Sequence, residues 1–183
     1  MTTTIFDFIG DQSGEWKVTL TATLKGDPIS SVSHLTKVSS NLIQTEKGIW
    51  TLKGIVSNLR YTEKKDKDKL VSIQENLGRP NATLAAFIPI RKSEAWWNLA
   101  QDERRKIMEN KSQHTHTGMK YLPAIARKLF HSRDIGEPFN FLTWFKYAPG
   151  DADAFEELLY TLRKTEEWTY VDREIDIRLK KKV

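Results

Sequence analysis

The sequence contains no cysteine. Disulfides, thiolate catalysis, cysteine-ligated zinc, iron–sulfur clusters and covalent c-type haem attachment are therefore excluded. No apolar run nears the ~20 residues that cross a bilayer. The N-terminus, MTTTIFDFIGDQSGEW, lacks the basic n-region and long apolar h-region of a signal peptide. The expectation is a soluble, cytoplasmic protein with no membrane partner. Recognisable nucleic-acid motifs are missing too. The net charge of +5 comes partly from the tail 178–182 and partly from the run Lys64–Lys69. Both mix into acidic neighbours and read as solvated surface, so no nucleic-acid partner is expected.

What is present suits a folded core. Hydrophobic residues make up 39% of 183, enough for one domain or two small ones. Six tryptophans are many for this length, and Trp suits pockets with one polar end. Residues 15–24 alternate apolar and polar and predict a half-buried strand. Residues 49–61 read alike, with Trp50, Leu52 and either Ile55 or Val56 inward; 34–43 is a further strand or a short connection. Lys64–Lys69 forms a charged hairpin tip before a strand at 70–74. The turn cluster 77–81 divides a strand-rich half, 1–80, from a second half, 81–183, with a different rhythm.

The second half begins with a buried strand, 83–90. Ser93 is positioned to cap a helix running to about Asn110, with Trp96, Leu99, Ala100, Glu103 and Ile107 on one face. A polar loop holding His114 and His116 precedes strands at about 123–132 and 139–147. Asp151 or Asp153 starts a second helix with the stripe Phe155, Leu158, Leu159 and Leu162, and a last alternating strand spans 168–179. This β-α-β-β-α-β order is ferredoxin-like and predicts an α+β layer, the first half being a reduced copy without helices.

One residue stands out for chemistry. Arg127 shares a strand face with Ile125 and Leu129. A cation there is costly unless paired, which leaves two readings: an edge position or salt bridge, or an anion site, for which a forked guanidinium is well suited. His114 in a loop reads either as a surface or capping group or as a metal ligand. His34 and His131 read as structural. A carboxylate at Glu166 or Glu167 would fix the tautomer of a ligating imidazole, though no spacing links either to His114.

Three stretches carry a resemblance: IRKSEAWWNLAQDERRKIM at 90–108, HTHTGMKYLPAIARKLFHSRDIG at 114–136 and LRKTEEWTYVDRE at 162–174. Together they resemble the chlorite dismutase family, in particular its short, dimeric, cyanobacterial-type branch, over essentially the whole chain. The resemblance implies two ferredoxin-like antiparallel sheets forming a barrel, with non-covalent haem b in the C-terminal half. It implies His114 as the proximal iron ligand, Glu167 as its hydrogen-bond partner, Arg127 as the distal arginine and Gln74 as its neighbour. Lys92, Trp96 and Tyr61 match positions near the haem propionates and proximal face. The implied activity is conversion of chlorite to chloride and dioxygen, a detoxification, by a homodimer. The alternatives are a haem peroxidase, a coproheme decarboxylase, or a non-enzymatic haem-binding protein of the same fold. Decarboxylating relatives lack the distal arginine, so Arg127 favours chlorite.

Overall fold

Eight antiparallel strands close on one another in the computed structural model, which describes residues 4–40, 48–56 and 79–183. They are β1 (Ile5–Asp11), β2 (Trp16–Lys25), β3 (His34–Ser39), β4 (Trp50–Val56), β5 (Leu84–Lys92), β6 (Ile125–His131), β7 (Phe141–Tyr147) and β8 (Val171–Lys181). Around the barrel the order is β1-β3-β2-β8-β5-β7-β6-β4, with β4 pairing back to β1. Read from β4, the first four strands run fourth, first, third, second; read from β8, so do the last four. This repeated ferredoxin-like order makes the molecule an α+β barrel of two sheets joined edge to edge.

Period-2 alternation gives every strand an inner and an outer face. The inner faces fill the barrel with Phe8, Trp16, Leu35, Leu52, Phe87, Phe130, Trp144, Ile175 and Ile177. On β4 this face runs Trp50, Leu52, Gly54 and on to Val56, which pairs with Phe130, and not to Ile55. Glycine is required there, because a Cβ at 54 would lie 2.7 Å from that of Phe130. The outer faces of β5–β8 make a second layer against helices, with Ile88, Ile125, Phe145, Phe155, Leu158 and Leu162.

Between β5 and β6 lie α1 (Glu94–Asn98), α2 (Gln101–Arg105), a π-turn (Lys106–Lys111) and α3 (His114–Met119); α4 (Ala152–Arg163) and a 3₁₀ turn (Glu167–Tyr170) precede β8. The expected helix over 93–110 is thus three pieces. Leu99 and Ala100 are extended, with ψ of 146° and 162°, and the Glu103 carboxylate re-caps the chain by accepting the Ala100 N–H at 2.7 Å. Ser93 occupies the N-cap position, but its hydroxyl makes no capping bond. The expected loop at His114 is a short helix, entered through Gln113 in the left-handed region at φ 48°. The stripe of α4 is buried as expected. The final strand starts three residues later than expected, and its supposed polar face is covered: Glu174 and Asp176 are buried. Arg163 of α4 bonds both, at 2.7 and 2.9 Å, and Trp168 Nε1 donates to Glu174 at 2.9 Å. The expected hairpin tip at 64–69, the strand at 70–74, and the site candidates Tyr61 and Gln74 lie outside the described residues.

Candidate active site

Four segments meet on the outer side of the β5–β8 sheet. The last residue of β5 supplies Lys92, α1 supplies Trp96, the first residue of α3 supplies His114, and the 3₁₀ turn before β8 supplies Glu167. Each is tied down locally. The Lys92 N–H donates to Asn140 Oδ1 at 2.8 Å, and the Glu167 N–H donates to Ser112 Oγ at 3.1 Å. Thr115 anchors α3 to the π-turn by donating to Glu109 at 2.7 Å.

The Glu167 carboxylate lies at the centre. Its Oε2 is 2.7 Å from His114 Nδ1 and its Oε1 accepts from Lys92 Nζ at 2.7 Å. The side chains of Lys92 and Glu167 are only 1% and 3% exposed. The ammonium also sits 3.7 Å above the Trp96 ring, a favourable cation–π position. Burial by itself would raise the Glu167 carboxyl; the charges and hydrogen bonds of His114 and Lys92 outweigh it and hold the group down at about 2. Burial pushes Lys92 down in turn, with Glu167 opposing.

Arg127, on the outer face of β6, brings NH1 within 3.4 Å of His114 Nε2. A guanidinium only donates, so this approach requires a lone pair on Nε2 and the proton on Nδ1. The same tautomer lets Nδ1–H donate to Glu167. Both contacts therefore select one ring state, with Nε2 the nitrogen available to an electrophile. Burial works against the Arg127 charge, and Glu167 and Glu109 favour it. Gly118, four residues after His114 on α3, leaves room for the guanidinium: a Cβ there would lie 3.1 Å from NH1.

Five of the sequence candidates, Lys92, Trp96, His114, Arg127 and Glu167, therefore share one site. His116 is exposed, His34 bonds Ser33, and His131 packs on Phe141, so none joins it. Sequence reasoning missed Ser112, Glu109, Asn140 and Gly118. Only the last left a signal, a glycine one helical turn from a histidine. Among the described residues no cluster of three or more His, Asp or Glu is able to hold a metal ion, and no helix is long and apolar enough to cross a membrane.

Comparison with known proteins adds three findings. Residues 28–183 match the family model described as chlorite dismutase. A chlorite dismutase of Ideonella dechloratans is 34% identical over 127 residues, 66% of this chain; the match covers 41% of that relative, so the chain spans less than half its length. A dimeric chlorite dismutase from Nitrobacter winogradskyi superposes with a TM-score of 0.90 at 51% identity, over 97% of this chain and 99% of that one. A chlorite dismutase from Candidatus Nitrospira defluvii, solved with imidazole, gives 0.67 at 17% identity over 98% and 92%, a likeness of fold.

Proposed function

The chain belongs to the chlorite dismutase family, and from that premise we propose that it binds haem b non-covalently and converts chlorite to chloride and dioxygen with formation of the O–O bond. The observation that carries this is the Glu167–His114 bond, which commits Nδ1 and leaves Nε2 for a metal. A single imidazole with a carboxylate behind it would be suited to hold the haem iron, and the absence of cysteine leaves no thiolate to compete with it. When bound, haem supplies the redox chemistry that these side chains lack.

The remaining work falls to the chain's own residues. Glu167 holds the His114 proton at Nδ1 and sustains its donor strength. Lys92 helps to keep Glu167 ionised, its ammonium placed between the carboxylate and the Trp96 face. Arg127 is the anion-holding group. It would hold chlorite, and any hypochlorite arising from it, while the overall conversion of chlorite to chloride and dioxygen breaks two Cl–O bonds and forms one O–O bond. Attraction between the guanidinium and an anion is several times stronger in a water-poor pocket than in bulk. His114 would hold the iron through Nε2, the nitrogen that Arg127 NH1 approaches. Gln74, Tyr61 and Trp96 complete the proposed surroundings of haem and anion. Residues 1–80 and 81–183 act as two ferredoxin-like halves, a division supported by the repeated strand order. The likeness to the dimeric Nitrobacter protein supports a homodimer.

The test is dissolved oxygen after adding chlorite to haem-loaded protein. The expected result is an oxygen burst matched by chloride. Arg127→Ala should retain haem, turn over at least about tenfold more slowly, in line with loss of a charge-assisted contact, and bleach sooner with more trappable hypochlorite. No oxygen from a sample with an intact Soret band would move the assignment to a peroxidase, a decarboxylase or a haem carrier.

A further inference from the structure

A second group of cations lies on the inner side of the barrel, two on the other side of the same sheet and one across from them on β3. Lys128 follows Arg127 on β6 and faces inward beside Phe130; Lys146 shares the inner face of β7 with Leu142 and Trp144; Lys37 shares that of β3 with Leu35. The three side chains converge over one set of rings. Lys37 Nζ is 5.6 Å from the Phe6 centroid, 5.9 Å from Phe130 and 5.6 Å from Trp144. Lys128 Nζ is 5.7 Å from Phe6, and Lys146 Nζ is 5.6 Å from Trp16. The rings are contiguous, Phe6 with Phe130 at 5.3 Å and Trp16 with Trp144 at 5.5 Å.

Such crowding is unfavourable without a counter-charge. Among the described residues, no carboxylate forms an ion pair with any of the three, although the same protein pairs Lys53 with Asp7 and Lys92 with Glu167. Among the described residues Glu15 is the acid whose charge reaches Lys37 and Lys146, while Lys181 and Arg79 add further positive charge near Lys146. Burial first, then the charge of Lys128, pushes Lys37 down to about 8 against the opposing pull of Glu15. Cation–π contacts offset part of the repulsion but cannot neutralise it. Lysines from three strands, each a mobile point charge, suit a multiply charged anion that is not recognised by planar, forked geometry.

We propose that Lys37, Lys128 and Lys146, gathered over Phe6, Phe130, Trp16 and Trp144 on the inner face of the barrel, bind a multiply charged oxyanion of the phosphate type, across the sheet from Arg127. The site is separate from the His114–Glu167 cluster and does not depend on the haem-side reading. Its effect is to stabilise the barrel in the presence of the anion.

The test titrates inorganic phosphate into haem-loaded protein at constant ionic strength, following heat of binding and thermal midpoint. The wild type should show saturable binding and a rising midpoint, with the Soret band unchanged. Lys37→Met and Lys128→Met should each weaken phosphate binding about tenfold or more, as expected for one charge-assisted contact. Without phosphate, both should melt at or above the wild-type temperature, because a repelled charge has gone. Arg127→Ala should bind phosphate like the wild type. Three results would overturn the proposal: a non-saturable response shared equally by chloride, unaltered binding in both lysine variants, or loss of binding in Arg127→Ala alone.

Discussion

The interaction between Lys92 and Glu167 is buried enough for its removal to be read as stability. In Glu167→Gln the shape is kept and the charge is lost. The amide offers one oxygen to two donors, His114 Nδ1–H and Lys92 Nζ, which the carboxylate serves with one oxygen each at 2.7 Å. Whichever way the amide turns, one donor faces an NH₂ group. With the Lys92 side chain 1% exposed, water cannot replace the lost partner without opening the site. Breaking a buried pair by removing one member costs about 3–5 kcal/mol, because the other charge is left behind. For a chain of this size that corresponds to a fall in melting temperature of roughly 6–20 °C.

The double variant Glu167→Gln/Lys92→Met separates this cause from general damage. It removes the stranded ammonium, places a thioether against Trp96, and leaves the amide oxygen for His114. It should recover about 2 kcal/mol or more relative to Glu167→Gln, the scale of a coupling energy in a shared buried network. The assay is thermal and urea unfolding of the haem-free protein at neutral pH, with both single variants and the double. A Glu167→Gln midpoint within about 2 °C of wild type would refute the burial argument. So would a double variant no more stable than Glu167→Gln, since the stranded charge would then not be the source of the loss.

The same carboxylate sets an acid limit. Held down to about 2 by His114 and Lys92 against its burial, it contributes stability that is present above about 4.5 and disappears as pH falls toward 2. Urea midpoints of wild type should therefore drop through that window more steeply than those of Glu167→Gln. Gly118→Ala should leave the melting temperature within a few degrees, since alanine gains up to ~1 kcal/mol in helix propensity. Its Cβ, however, presses on the Arg127 guanidinium at 3.1–3.3 Å and should lower chlorite turnover several-fold; unchanged turnover would remove the positional role given to Gly118. Arg163→Leu leaves Glu174 and Asp176 buried with one fewer cation and should cost about 3 kcal/mol in urea unfolding; a smaller loss than from an exposed-lysine control would mean that the two carboxylates do not need it.

Period and turn chemistry were enough to locate most elements of the second half. The stripe of α4 and the consecutive strands β6 and β7 follow from side-chain periodicity, which is a local property. Three features did not follow, the first for a local reason and the other two for non-local ones. The break after Asn98 is accompanied by Glu103 returning to the Ala100 N–H, so an uninterrupted apolar face concealed a backbone interruption. The helix at His114 carries two threonines and a glycine in six residues, poor helix formers that tertiary contacts hold in place. Alternation on β8 correctly predicted a strand but implied one wet face, whereas α4 covers that face and Arg163 neutralises its acids. Within the site, Arg127 was visible as a cation on an apolar face. Its meeting with His114, and that of Glu167 with Lys92, joins segments as far apart as 75 residues, which no spacing rule reaches.

The strand that exposed Arg127 also carries a cation on its opposite parity, and this follows from the architecture. Once the eight strands close, the β5–β8 sheet is covered on both faces, by barrel core within and helices outside. A charged side chain on either face then has three outcomes: a fixed partner, displacement toward an edge, or a site whose partner is a ligand. Glu174, Asp176, Glu167 and Lys92 take the first course, each with a named partner within 2.9 Å. Lys37, Lys128 and Lys146 have rings where carboxylates would otherwise be expected. Arg127 faces the nitrogen that an iron would take. The paired groups maintain the fold, and the three inner lysines form the proposed oxyanion site on the face of β6 opposite Arg127.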